Sequence, residues 1–286
     1  MKRKKRAVKK AEKRLPIKHW SHSSLMAFLR NPLAWYKRYV EEIYDTPTTP
    51  AAVVGSAGHF ALEHFYKGAS KELAIQKGFE YLRNVADFEI DFGRANPPAG
   101  GARARKKKRR TMEQEYLRAI SYYLLRPPRH RVLGVEVKGV VEVPGLPLPI
   151  KAVSDLVVAS SIERGAVDIV DHKFVASFSK GGATKTIFVI QAIFNYYTVK
   201  KLFDKTVRRF IVYECKKSRN ADGSSQMRRY IIDFRERKDD FAVFHRLISD
   251  ATEEISRPRI YLPNPSDMFE GDNSFDIYRL GLVDDD

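Results

Sequence analysis

Residues 150–175 read IKAVSDLVVASSIERGAVDIVDHKFV, two β-branched runs separated by the turn-forming SIERG, which spell a strand that reverses into a second strand. Just before them VLGVEVKGVVEV (132–143) is another such run, joined through PGLP (144–147), so three adjacent strands are expected. Side chains alternate along a strand, which puts Asp171 and Lys173 on one face and the His172 side chain on the other. The turn at 163–165 brings Asp155 back alongside, so two carboxylates and one ammonium meet at a sheet edge flanked by Ile169, Val170, Phe174 and Val175. Burying such groups is unfavourable unless they are paired or hold a cation.

Working outward, SHSSLMAFLRNPLAWYKRYVEEI (21–43) has a serine helix start and apolar residues at helical spacing, broken at Asn31-Pro32, and predicts two short helices. Helical spacing continues over 52–66, 71–88 and 111–125, whereas 93–110 (GRANPPAGGARARKKKRR) reads as a loop. Beyond the strands, 186–203 is helical, VRRFIVYECKK (207–217) and QMRRYIIDF (226–234) form a hairpin, and 238–255 is a last helix before a tail rich in Pro, Asn and Asp. The fold class is α/β, a central mixed β-sheet flanked by helices with a helical N-terminal region. The expected organisation is a basic arm over 1–18, a helical region over 19–130 and a core with its tail over 131–286. No internal repeat is visible.

The chain has 286 residues, 43% of them hydrophobic, enough for a substantial core. No run of about 18 apolar residues is present to span a bilayer, so no membrane partner is expected. The N-terminus lacks the apolar stretch of a secretion signal. Cys215 is the single cysteine, which excludes an internal disulfide and four-cysteine zinc or iron–sulfur sites. Of the net charge of +17, residues 2–14 supply +8 and residues 103–110 supply +7. Charge so concentrated and of one sign attracts polyanions. Nucleic acid is therefore the expected partner, with phosphate contacts from Arg103, Arg105, Lys106, Lys107, Lys108, Arg109 and Arg110. The bland alternative is a solvated surface.

A carboxylate pair with a lysine suits phosphodiester hydrolysis, because a hard divalent ion needs oxygen ligands and a nearby ammonium can orient the attacking water. Alone, D-x-K is equally the pattern of a strand-end salt bridge. Other segments add context. SHSSLMAFLRNPLAWYKRYV, GSAGHFALEHF, LGVEV, SDLVV, VDIVDHK and QAIFNYY occur in the order of the short motifs of the PD-(D/E)xK nuclease superfamily. The chain resembles its RecB-like, Cas4-like exonuclease branch over 21–278, with a restriction-endonuclease-like fold implied.

The resemblance implies a metal site formed by His59, Asp155, Asp171 and the backbone carbonyl of His172. It also implies catalytic roles for Asp155, Asp171, Lys173, Gln191 and Glu136. Mg²⁺ or Mn²⁺ is the implied cofactor. Asn31 stands where many relatives carry a cluster cysteine and the tail has none, so a member without the iron–sulfur cluster is expected. Bland readings stand beside these: His59 as an ordinary helix residue, Gln191 as a helix-start residue, Glu136 paired with Lys138. Trp35, Tyr36 and Tyr39 fit core packing first and base stacking second. The function implied is a Mg/Mn-dependent deoxyribonuclease of recombination, repair or phage DNA processing, exonuclease before endonuclease, acting on DNA that is single-stranded or has ends. The alternative is an inactive nucleic-acid-binding module of the same fold. The expected location is the cytoplasm or nucleoid, with phage origin compatible; composition does not distinguish a nuclear-targeting signal from a DNA-binding arm.

Overall fold

The computed structural model describes residues 15–44, 47–93, 101–180 and 185–263. The basic arm over 1–14, residues 94–100 of the expected loop and the tail from 264 lie outside the described residues. In chain order the elements are β1 (Trp20–Ser21), α1 (His22–Arg30), α2 (Pro32–Tyr39), α3 (Pro50–Tyr66), α4 (Lys71–Asn84), α5 (Gly101–Leu125), β2 (Val132–Val141), β3 (Ile150–Ala159) and β4 (Val167–Val175). They continue as α6 (Thr186–Phe203), β5 (Val207–Lys216), β6 (Met227–Asp233) and α7 (Lys238–Ile255). The described residues form two compact units, the larger within Tyr44–Val141 and Ile150–Phe244, the smaller from 15–43, Glu142–Pro149 and 245–263.

In the larger unit β2 pairs antiparallel with β3, and β3 antiparallel with β4. After the α6 crossover, β5 lies parallel to β4, and β6 closes the set as the second arm of an antiparallel hairpin. The mixed sheet follows from connection length: turns join the antiparallel pairs, and only the helical crossover returns a strand in the same direction. On one face of the central strands Leu156, Val158, Val170 and Ile211 pack against α3 and α5 in a single core with Leu62, Met112, Tyr116 and Ile120. Each such side chain contributes about 1.5–3 kcal/mol by leaving water. Gly78 admits a close approach: a Cβ there would lie 2.2 Å from the Tyr116 hydroxyl and 2.5 Å from the Ala57 carbonyl.

Two expectations change. Residues 101–110, expected in a loop, begin the 25-residue α5. Ala, Arg and Lys are strong helix formers, and Arg105 and Arg109, one turn apart, both reach Asp87, with closest approaches of 3.9 and 2.7 Å. The helix expected over 71–88 stops at Asn84, with only a short 3₁₀ turn at Asp87–Glu89. Arg109 donates to the carbonyls of Leu82 and Val85 and so satisfies the end of α4.

In the smaller unit Ser21 caps α1 and Asn31 caps α2, which explains the break at Asn31-Pro32. Trp35 is fully buried and stacks on Trp20 at 5.8 Å, while Tyr36 stacks on Tyr261 at 4.7 Å. These rings pack a core.

Candidate metal and catalytic site

Strand register assembles the acidic residues. Val135↔Leu156 and Val137↔Ser154 place Glu136 across from Asp155, and Leu156↔Val170, carried on by one residue, places Asp171 on the other side of Asp155. The three carboxylates therefore lie on three adjacent strands, β2, β3 and β4. Glu136 has φ of +51°, a left-handed backbone unusual for a non-glycine residue within a strand. Strain of this kind persists where the surrounding structure enforces it, commonly at functional sites.

From α3, His59 turns its Nδ1 to within 3.2 Å of Asp155 Oδ2. One ligand atom each from His59, Glu136 and Asp155 lies within 4.8 Å of the others. Asp171 stands with a different group: Lys173 Nζ is 2.9 Å from its Oδ2, and the Gln191 amide donates to its Oδ1 at 2.7 Å. The resemblance implied Asp171 as a metal ligand and Glu136 as a catalytic residue; the structure gathers Glu136, rather than Asp171, into the three-residue cluster with His59 and Asp155. Lys138 forms no ion pair with Glu136 among the described residues. Close packing against β4 permits the placing of His59, because Gly58 leaves room for the Phe174 ring, which a Cβ would meet at 2.3 Å.

The electrostatics follow from this crowding. Burial disfavours the charged form of Asp155, but the His59 charge and hydrogen bonds from His172 and His59 hold its carboxyl well below the usual range. Burial and the Asp155 charge push Asp171 up against the opposing pull of Lys173, and burial with the Asp155 charge raises Glu136. Burial lowers His59 and Lys173, yet the neighbouring aspartates outweigh it and both lie above their ordinary values. Lys173 is therefore a charged ammonium.

Several residues here had no signal in the sequence. The His172 side chain does take the opposite face from Asp171 and Lys173, but it does not leave the site. Its backbone N–H donates to Asp155 Oδ2 at 2.7 Å, and its Nδ1 lies 3.2 Å from the same oxygen. Behind it the hydroxyl of Tyr123 is 2.8 Å from Nε2 and that of Tyr66 is 2.7 Å from Tyr123. This buried chain runs from α3 and α5 to the Asp155 carboxylate. Asn195 donates to the Gln191 carbonyl at 2.9 Å and accepts from Ser154 at 2.6 Å, tying the helix of Gln191 to the strand of Asp155. Glu214, fully buried opposite Lys173 in register, accepts from the Ser179 backbone at 2.8 Å and from its hydroxyl, anchoring the chain just after β4. On α5, Arg103, Lys106, Lys107, Lys108 and Arg110 are exposed, while Arg105 and Arg109 are engaged with the α4 end. No helix of the described residues is long and apolar enough to cross a membrane.

The fold has a counterpart among solved structures. A crystal structure from Eubacterium rectale, of a protein provisionally assigned as an exonuclease, matches with a TM-score of 0.51 at 11% identity, over 88% of this chain and 85% of that one. The crystal structure of SSO0001 aligns with 81% of this chain and 84% of its own at 16% identity, with a TM-score of 0.31. No curated protein sequence matches the chain. The family model of the PD-(D/E)XK nuclease superfamily matches residues 19–268, and the mixed sheet flanked by helices is the restriction-endonuclease-like arrangement of that family. This chain belongs to the PD-(D/E)XK nuclease superfamily.

Proposed function

We propose that this protein is a divalent-metal-dependent deoxyribonuclease of RecB-like type, working as an exonuclease in recombination, repair or phage DNA processing. The observation that carries the reading is the convergence of His59, Glu136 and Asp155 within 4.8 Å beside the Asp171–Lys173 pair. Three carboxylates with one lysine leave an excess of negative charge in a partly buried site, which a cation offsets. The carboxylates suit Mg²⁺ or Mn²⁺. When bound, the ion supplies Lewis-acid polarisation of the scissile phosphate and lowers the pKa of water.

The chain's own residues do the rest. His59, Glu136 and Asp155 would hold the ion, with Asp171 on the neighbouring strand. Lys173 brings a positive charge to the attacking water and the phosphate. Gln191 fixes one Asp171 oxygen and is itself fixed through Asn195. Tyr123 and His172 set the orientation of Asp155. Exposed cations on α5 attract the backbone phosphates.

The test is digestion of end-labelled linear single- and double-stranded DNA and of a closed circle, with Mg²⁺, Mn²⁺ or EDTA, for the wild type and Lys173→Ala. Metal-dependent loss of linear DNA that spares circles, reduced at least about 10²-fold in the variant, is expected. Binding without cleavage in every metal would overturn the reading in favour of a non-catalytic module.

A further inference from the structure

Next to the metal-binding helix lies a groove that the chemistry above does not use. Its volume is about 530 Å³ and its lining includes Tyr44, Val53, Ser56, Tyr81 and Phe88. Ser56 is one turn before His59 on α3, and Tyr81 on α4 packs at 5.4 Å on Phe60, the residue after His59. The rim is built rather than loose. Thr48 and Glu89 are joined by a 2.9 Å backbone hydrogen bond, Asp91 returns one to Thr48, and Arg109 grips Asp87 and Val85 from α5.

Three aromatic rings line this groove with unusual exposure. Phe88 is 84% exposed, Tyr44 67% and Tyr81 37%. A phenylalanine held out into water on a fixed turn gains nothing for the fold, and a cluster of such rings marks a contact surface. Charge selects the partner. Of the acids on this rim, Asp87 is ion-paired with Arg105 and Arg109, while Glu89 and Asp91 accept the backbone N–H groups of Ala86 and Gly93. The helix gripping the rim presents exposed Arg103, Lys106, Lys107, Lys108 and Arg110.

We infer that this groove is a binding site for unpaired nucleobases of a single-stranded nucleic acid, whose bases stack on Phe88 and Tyr81 while α5 attracts its phosphates. Aromatic platforms beside a cationic track are the chemistry that captures single strands without reading sequence. The inference rests on the nuclease reading and deepens it, since it assigns the substrate's state on the His59 side of the site.

The test is fluorescence anisotropy of a labelled oligothymidylate and of a blunt duplex of equal length, on the full chain in Ca²⁺, for the wild type, Phe88→Ala, Tyr81→Ala and Phe88→Trp. Digestion by the wild type in Mg²⁺ is measured alongside. Phe88→Ala is expected to weaken single-strand binding about tenfold, with duplex binding changed less than about twofold and Phe88→Trp restoring the affinity. Because Phe88 is a surface residue, its removal does not endanger the fold; Tyr81→Ala should act in the same direction with an unchanged melting temperature. Single-strand affinity unmoved by Phe88→Ala, or lost equally for duplex, would overturn the groove. If the wild type digests DNA in that case, the nuclease reading stands and the groove alone fails; a wild type that neither binds nor digests DNA removes both.

Discussion

Two buried aspartates on β4, three residues apart, have opposite surroundings. Asp168, 1% exposed, lies opposite Arg209 of β5, which donates to it through Nη2 at 2.6 Å and Nε at 3.2 Å and also reaches Ser161. Asp171, 5% exposed, has a lysine and an amide for partners but shares its row with Asp155 and Glu136. One carboxylate is answered by a permanent guanidinium in a fixed geometry. The other belongs to a cluster whose negative charge exceeds its fixed positive charge. Burial alone therefore does not mark the site; the charge deficit does.

Neutralising each aspartate should separate these roles most widely. Asp171→Asn is expected to reduce cleavage at least about 10²-fold, while the metal-free protein loses less stability than with Asp168→Asn, because Lys173 is 29% exposed and keeps Asp155 as a neighbouring charge, the amide oxygen can still accept from Gln191 and the repulsion from Asp155 disappears. Asp168→Asn should instead cost about 3–5 kcal/mol by leaving Arg209 buried without its counter-charge, with cleavage per folded molecule retained. Urea denaturation in EDTA and single-turnover cleavage read the two effects. An Asp171→Asn protein as unstable as Asp168→Asn would make both aspartates structural.

A middle-sized effect tests whether the buried chain behind Asp155 serves the metal or only the fold. Tyr123→Phe should weaken half-saturation by Mn²⁺ about tenfold, with kcat at saturating metal changed less than about threefold. Tyr116 is a fitting comparison, since it is equally buried and its hydroxyl donates to the Ile75 carbonyl at 2.7 Å, away from the acidic row. Tyr116→Phe should lose about 1 kcal/mol of stability and leave metal dependence unchanged. Identical metal titrations for the two variants would reduce the Tyr66–Tyr123–His172 chain to packing.

The strands and the Asp171–Lys173 pair were legible because β-branched runs, turn residues and alternation are local signals, and they hold for β2 to β6 and for the ion pair that Asp171 and Lys173 form. The motif order also located His59, Glu136 and Gln191. What escaped was long-range. Tyr66 and Tyr123 are 57 residues apart and meet only because α3 and α5 pack together, and no spacing announces that. The Ser154–Asn195 bond likewise depends on how α6 crosses the sheet. The basic run over 103–110 misled because Gly and Pro just before it signal a loop, whereas its own residues favour helix and have Asp87 as an anchor.

That anchor divides the basic run, and the division gives the smallest predicted effect. Lys107 is exposed on α5, while Arg109 closes the end of α4 through Leu82, Val85 and Asp87. Lys107→Ala should leave the melting temperature unchanged and reduce the slope of log affinity for duplex DNA against log salt by about 0.9, the effect of one lost phosphate contact. Arg109→Ala should lower stability by about 1–3 kcal/mol, since buried carbonyls lose a charged donor, and change the salt slope less than Lys107→Ala does. Salt titrations of DNA binding beside thermal melts of both variants decide the matter. An equal fall in slope for the two would mean that Arg109 leaves the α4 end to meet phosphate, and the basic run would then act as one uniform electrostatic surface rather than as a helix pinned on one side and free to bind on the other.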